Sequence, residues 1–568
     1  MAGPEVGGAK LRLMLGSARP IGPVDPQAPG RVALAEVPDL AECPPDPALL
    51  SALSPNLLFR HEAVPLRRTE YGILFAGVRP NALPALAAAA EHEGLGPAVA
   101  HRFVPVTPSE IAEALQALAP AQARAALERT PPADSCRTLR ARPLALGVAV
   151  GVAAALALRP GGAVLVLLAL GALLLAATAV LRLLAAFASI RSAGDAPTVT
   201  PLRLPVISVL IPLLREDRVT CRLLRRLHAL DYPRDRLDIR LVVEEGDRVT
   251  ARALERAELP FWITVVRVPP GPLRTKPRAL NYALDGCRGA IVGIWDAEDA
   301  PAPDQLHAIA GTFAAAPPDV GCLQGRLSLE ARGRGWIAGC FALEYDVWFG
   351  VILPGLARLG LPVPLGGTTL FLRRDAIEAV GGWDAHNVTE DADLGIRLHR
   401  RGWRTLLVDT VTVEEPTARP AAWVRQRSRW LKGYAATWAV HARRPAALVR
   451  DLGWRGALGF HVLIGGAVVQ FALAPLFWLF WPEAFGLASP LDDIVPTGAR
   501  HALVALFILS EAVGLAVAVV AARRAGVLRR AWLAPSMLLY FPLATLAAWK
   551  AAVELVVAPF YWDKTDHG

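Results

Sequence analysis

Three acids close the apolar run in AIVGIWDAEDAPAPDQL (290–306): Asp296, Glu298 and Asp299. Carboxylates clustered where a strand ends suit a hard divalent cation that bridges two phosphates, and an acidic turn without a ligand is the alternative. DIRLVVEEGD (238–247) has the same form, with Glu244, Glu245 and Asp247 at its end. Ligands of open α/β sheets bind beyond the carboxyl ends of strands, so these acids either hold a nucleoside or form a solvated loop. In LRTKPRALNYALDGC (273–287), Lys276 and Arg278 stand before a helix pattern and can meet phosphates. Thr389, Glu390 and Asp391 precede another helix pattern, after two glycine turns in 364–403. A carboxylate over a sugar hydroxyl can act as a general base, and Asp391 can equally be a helix cap. Finally, QRSRW (426–430) puts Gln426, Arg427, Arg429 and Trp430 on little more than one helical turn. Its arginines can neutralise a pyrophosphate, and Trp430 can stack on a sugar ring. A membrane-interface Arg/Trp cluster is the other reading.

The elements that must position these residues are legible in the hydropathy. Of 568 residues, 54% are hydrophobic and only 20% charged, which excludes a disordered chain and argues against a wholly soluble one. The net charge of +9 comes with no basic helix of base-reading residues, so no nucleic-acid partner is expected. The six cysteines show no CxxC spacing and read as buried thiols in a reducing compartment. No signal peptide is read at the N-terminus. Residues 1–135 read as a small α/β domain: 56–77 alternates like short strands, and 81–95 and 108–118 read as helices, the second with Ser109 as N-cap.

Apolar runs at 144–158 and 163–181 predict a transmembrane hairpin within 144–190, flanked by Arg137, Arg140, Arg142, Arg182 and Arg191. Basic flanks place both ends in the cytoplasm. Residues 200–450 return to soluble composition with alternating strand and helix patterns. Membrane character resumes across 457–558, in runs at 457–481, 501–522 and 533–558. The last run contains Pro535, Pro542, Lys550 and Glu554, and is either a third span or a span with an interfacial return. A tail, 559–568, follows.

EEGD, DAED, GGT, TED and QRSRW, in this order and spacing, resemble a family-2 glycosyltransferase of the cellulose-synthase-like, membrane-embedded kind, from about residue 200 onward. The resemblance implies an α/β fold: a GT-A nucleotide-diphospho-sugar transferase domain inserted between transmembrane helices. It implies a multi-pass inner-membrane enzyme with its catalytic domain in the cytoplasm. Glu244 and Glu245 take the nucleotide-binding position, where the family usually has Asp. Asp296 and Glu298 match the DxD metal motif for Mg2+ or Mn2+, with Glu in place of the second Asp. Asp391 is the implied base. Lys276, Asp296, Arg427 and Arg429 would face the donor diphosphate. Gln426, Trp430 and Glu390 would face the acceptor glycan. The tail PFYWDKTDHG (559–568) also looks like a family ending that returns toward the active site. The FxVTPKG gating loop of cellulose synthases is absent from the sequence, as is any C-terminal cyclic di-GMP receptor domain.

Residues 1–135 resemble the N-terminal domain of type II secretion and pilus ATPases, through 46–66, a strand near 72–79 and VTPSEIAEAL (106–115). That implies a regulatory or docking role toward an export or regulatory partner. Some such domains bind cyclic di-GMP, but of their RLG-type motif only RLMLGSARP (12–20) is an echo. The expectation is inverting transfer of a hexose from a UDP-sugar, UDP-glucose foremost, to a growing polysaccharide at the lipid bilayer. The rivals are non-processive glycosylation of a lipid carrier, and a degenerate transferase serving as receptor or scaffold.

Overall fold

The computed structural model describes residues 40, 44–53, 55–69, 72–97, 101–116, 118–190, 199–216 and 219–561. The RLMLGSARP segment and residues 562–568 of the tail lie outside these.

The N-terminal domain is built on a three-stranded sheet of β1 (Ala63–Thr69), β2 (Gly72–Gly77) and β3 (Arg102–Pro105). β1 and β2 pair antiparallel, and β2 and β3 pair parallel. Residues 56–61, expected as strand, are helical instead. Pro55 opens the helix Pro55–His61, where a missing N–H costs nothing. The later helix runs Pro108–Gln116, so Ser109 lies inside it and Thr107 takes the cap. Glu110 N–H donates to Thr107 Oγ1 at 3.4 Å while Thr107 N–H donates to Glu110 Oε2 at 2.8 Å, a reciprocal capping box.

The central domain holds a mixed sheet of β4 (Ile207–Leu213), β5 (Leu237–Glu244), β6 (Ile263–Val268), β7 (Ile291–Ile294), β8 (Ala300–Pro301), β9 (Val320–Leu329), β10 (Leu370–Arg373) and β11 (Arg404–Glu414). Their spatial order is β6-β5-β4-β7-β10-β9-β11-β8. β4, β5, β6 and β7 are parallel, and β4 and β5 are buried along nearly their whole length, as strands covered on both faces must be. β10 runs against both its neighbours. One edge of the sheet therefore collects the carboxyl ends of β5, β7 and β11 together with the loop that enters β10.

Among the described residues, four helices are long and apolar enough to cross a membrane: Pro160–Ile190, Trp336–Arg358, Pro445–Trp478 and Thr497–Arg524. Ala141–Leu158, the first arm of the expected hairpin, is shorter. The second of the four was not expected, and it is 61% buried inside the protein. Its acids explain this, because Glu344 and Asp346 pair with Arg427 and Arg530 rather than face lipid. The final run is not one straight span: Leu528–Tyr540 and Pro542–Val557 meet at a bend of 48°. Pro542–Val557 lies along the helix Pro420–Ala442, with Ala547, Ala548 and Ala551 on Leu431 and Glu554 3.1 Å from Lys432. Lys432 also donates to the Tyr561 carbonyl at 2.8 Å. The last described residue therefore sits beside the central domain.

Pro160–Ile190 meets the buried helix at Gly355, where a Cβ would lie 2.2 Å from the Ala185 carbonyl oxygen. Backbone atoms cannot yield as side chains do. Gly355→Ala is expected to cost about 1–3 kcal/mol and to lower the thermal unfolding midpoint of the detergent-solubilised protein.

Candidate active site

A cavity of about 980 Å³ opens at the acidic sheet edge and continues between the membrane-type helices. Asp296 and Glu298 line it from the turn after β7, Glu414 from the end of β11, and Glu244 from the end of β5. Gly366 and Gly367 line it before β10, and Glu390 and Asp391 at the start of the helix Glu390–Arg400. Gln426, Arg427, Arg429 and Trp430 line it from the helix Pro420–Ala442.

Lys276 stands at the centre of the acids. Its ammonium donates to Asp296 and, at 3.0 Å, to the Gly367 carbonyl. Burial works against this charge, but Asp296, Glu390 and Asp391 outweigh burial and raise the Lys276 pKa. Gly367 sits close to both groups: a Cβ there would lie 3.2 Å from Asp391 Oδ2, a tight contact, and 3.7 Å from Lys276 Nζ. The glycine turn is braced from β9: Gln324 donates to the Thr368 and Thr369 carbonyls and accepts the Gly366 N–H at 2.9 Å.

The two acids of the TED motif differ. Burial, with the Asp391 charge next, pushes Glu390 up to about 8, so it is mostly protonated at neutral pH and can donate. Burial raises Asp391 too, while the Ala392 N–H at 2.8 Å and the Lys276 charge oppose the rise. The helix start is pinned from below. Asp393 bonds Arg397 at 2.7 Å and His441 at 3.0 Å, all three fully buried. Thr389 packs on Gly433, where a Cβ would come within 2.2 Å of its hydroxyl.

Asp299 lies beneath the turn rather than in the cavity. Its Oδ2 accepts the Asp296 N–H at 2.8 Å and the Thr368 hydroxyl, and its Oδ1 is buried without a partner. Burial, then the Asp296 and Glu298 charges, raise its pKa well above the carboxylate range. Glu414 behaves likewise, raised by burial and then by Asp299, Glu298 and Asp296, with its Oε1 unpartnered. Among the described residues no three ligating side chains converge into a ready metal cage. The acids nonetheless repel one another around oxygens that lack donors. This donor set fits a hard cation that draws its remaining ligands from a diphosphate.

Several expected residues sit elsewhere. Glu245 faces a separate cavity of about 170 Å³ beside Leu254 and Arg267. Only Glu244 reaches the main cavity, and Arg278 pairs with it at 3.2 Å. Arg278 is 1% exposed, hence committed to Glu244 and the Pro269 carbonyl rather than to a phosphate. Arg427 is also committed. It bonds Glu344 Oε2 at 2.6 Å, and its guanidinium lies 4.6 Å from the Trp430 ring and 4.8 Å from Trp423. Tyr540 donates to the same Glu344 oxygen at 2.8 Å. Arg427 therefore does not point at a diphosphate in this structure. Glu414 and Glu344 were missed by sequence reasoning. Glu414 had the signal used elsewhere, an acid ending a strand in VTVEEP (411–416), whereas Glu344 is hidden in an apolar helix.

Residues 205–433 match the family described as "Glycosyltransferase like family 2", and residues 35–125 match the "MshEN domain". The Beta-monoglucosyldiacylglycerol synthase of Synechocystis is 30% identical over 312 residues, 53% of this chain and 62% of that protein. The "Cellulose synthase catalytic subunit [UDP-forming]" of Komagataeibacter sucrofermentans is 25% identical over 293 residues, covering 50% and 36%. The mannosyltransferase PcManGT of Pyrobaculum calidifontis, solved with GDP-Man and Mn2+, aligns at a TM-score of 0.43 with 21% identity, over 61% of this chain and 97% of that one. The central domain is a family-2 glycosyltransferase domain with a GT-A-like α/β fold, joined to an N-terminal MshEN domain and membrane-type helices. The chain spans less than two thirds of the length of the Synechocystis relative.

A stacked, bidentate-capable guanidinium is not replaceable by an ammonium. Arg427→Lys is expected to destabilise the protein by more than about 1 kcal/mol and Arg427→Met by about 3 kcal/mol, because the partly buried Glu344 loses its counter-charge and keeps only the Tyr540 hydroxyl. Thermal unfolding in detergent reads both.

Proposed function

We propose that the protein transfers a hexose from a UDP-sugar, UDP-glucose foremost, to the end of a growing glycan and feeds that glycan into the membrane. The observation that carries this is the continuity of one cavity from Asp391 to the membrane-type helices. Its inner part is not purely apolar. Thr178, Arg182, Gln470, Ser510 and Glu511 line it together with Trp478 and Trp481. Ionisable side chains among spanning helices are costly and mark a polar path. Arg182 and Glu511 bring opposite charges, which suits a neutral polyol better than an acyl chain.

In this reading Asp391 takes the proton from the acceptor hydroxyl as that oxygen attacks C1 and the bond to the diphosphate breaks. A single displacement inverts the anomeric centre. Lys276 lowers the Asp391 pKa against the effect of burial, and Glu390, raised to about 8, orients the acceptor by donating a hydrogen bond. Trp430 and Gln426 bound the acceptor side, and Arg429 lines the donor side. Glu244 meets the nucleoside. Asp296 and Glu298 would hold Mg2+ or Mn2+, which would supply Lewis-acid neutralisation of the departing UDP. In this reading the catalytic domain lies on the cytoplasmic face of the inner membrane, which Arg137, Arg140 and Arg142 before the hairpin support, whereas Arg182 lies within the helix Pro160–Ile190 rather than at its flank. Residues 35–125 serve regulation, with cyclic di-GMP as the ligand to try first. A second reading, sugar transfer to a lipid, is favoured by the name of the Synechocystis relative.

Purified protein in lipid nanodiscs, given a panel of UDP-sugars, tests this reading. UDP release with a long product supports it, a product of one sugar on lipid supports the second, and no release contradicts both. Asp391→Asn should lower kcat by about 10²–10⁴-fold, the range for a lost general base, with the donor Kd retained. The pH profile has a definite sign. Because burial raises the Asp391 pKa, activity should fall as pH drops through a value higher than that of an ordinary aspartate. Lys276→Met removes a charge that lowers this pKa, so the acid limb should move to higher pH.

A further inference from the structure

The helix Lys276–Leu284 begins at the residue that bonds Asp296 and ends against the N-terminal domain. Asp285, 1% exposed, closes it, and the matching charge comes from the other domain: Arg129 Nη1 lies 2.5 Å away. Gln122 Nε2 donates to the same carboxylate at 3.3 Å and to the Tyr282 carbonyl at 3.2 Å. One turn earlier, the fully buried Asn281 donates to the Ala126 carbonyl at 3.0 Å and to the Trp383 carbonyl at 2.7 Å. Its Oδ1 accepts the Trp383 N–H at 2.9 Å.

The same N-terminal segment grips the loop that leads into Glu390 and Asp391. Thr130 donates to the Gly381 carbonyl at 3.1 Å. Asp384 accepts the Ser135 hydroxyl at 2.8 Å and the Cys136 N–H at 2.6 Å. Gly381 and Gly382 have φ of +76° and +65°, and a Cβ on Gly382 would lie 2.7 Å from Arg129 Cδ. The loop is tied back to the Lys276 helix, since Thr275 donates to the Ala385 carbonyl at 2.9 Å. The bonds to Asp285, Asn281, Gly381 and Asp384 thus fall on the two elements that carry Lys276 and Asp391.

We propose that residues 122–136 are a positioning brace for the transfer reaction, in which Arg129 and Ser135 lock the Lys276–Leu284 helix and the 381–391 loop into one register. This rests on the reading of Asp391 and Lys276 given above. A packed apolar contact would join two domains at lower desolvation cost than a buried ion pair, which is fixed in direction as well as in place. Misplacement of reacting groups by about 1 Å costs on the order of a hundredfold in rate. The brace also gives any ligand of the N-terminal domain a route to the reacting groups.

The test uses the full-length protein and reads kcat, the donor KM and amide hydrogen exchange. Arg129→Met should lower kcat at least about tenfold with KM within about twofold, consistent with lost positioning rather than lost donor binding. Exchange should speed up over 276–284 and 383–391, and Arg129→Lys should recover most of the rate. Ser135→Ala, which removes one hydrogen bond and no charge, should act in the same direction by about threefold, and keeps the test decisive if Arg129→Met fails to fold. Arg79→Met, which breaks a more exposed pair with Glu62 inside the N-terminal domain, should leave kcat and exchange at these elements unchanged. Unchanged kcat and exchange in a folded Arg129→Met or in Ser135→Ala would overturn the brace. A wild-type protein that consumes no UDP-sugar would instead count against the proposed function, and exchange would still test the brace.

Discussion

One ammonium among many carboxylates is the constraint on which this site depends. The sheet topology brings Asp296, Glu298, Glu414, Glu390 and Asp391 to a single cavity, where Glu390 is buried and the other four are partly buried. Burial first, and the neighbouring carboxylates after it, raise Glu390, Asp391 and Glu414. Lys276 offsets part of that repulsion from one position, reaching Asp296 and Gly367 at once. Removing that cation would raise Glu390, Asp391 and Glu414 further. The glycine at 367, the Gln324 fork and the helix that begins at Lys276 all serve to keep this one charge in place.

The surrounding architecture follows from what such a site must meet. The Glu344–Arg427 pair, stacked between two indoles, joins a buried apolar helix to the QRSRW helix and so holds the cavity wall. Pro542–Val557 lies along the same QRSRW helix and returns the described chain end to the central domain. The site is thereby enclosed by elements from both the sheet domain and the membrane-type helices.

Local chemistry was legible in the sequence, and long-range commitment was not. Asp296, Glu298, Glu390, Asp391 and Trp430 could be found because an acid at a strand end, or an aromatic one turn along a basic helix, is a short-range pattern. Arg278 and Arg427 carried the same short-range signal as Lys276, yet buried partners 34 and 83 residues away claim them. Glu245, one residue past the end of β5 and already in the turn, lines the separate smaller cavity and not the main one that Glu244 reaches. The Trp336–Arg358 helix escaped notice because Glu344 and Asp346 interrupt its apolar run, whereas Pro160–Ile190 is apolar along most of its length. The docking of the N-terminal domain is invisible locally, since Arg129 and Asp285 are 156 residues apart.

The account turns on one base, one displacement and no covalent sugar–enzyme intermediate. The stereochemistry of the new linkage tests that most directly. With an α-linked sugar nucleotide as donor, the one-bond C1–H1 coupling in the NMR spectrum of the product should report a β-linkage. An α-linkage would contradict the single displacement and, with it, the role given to Asp391.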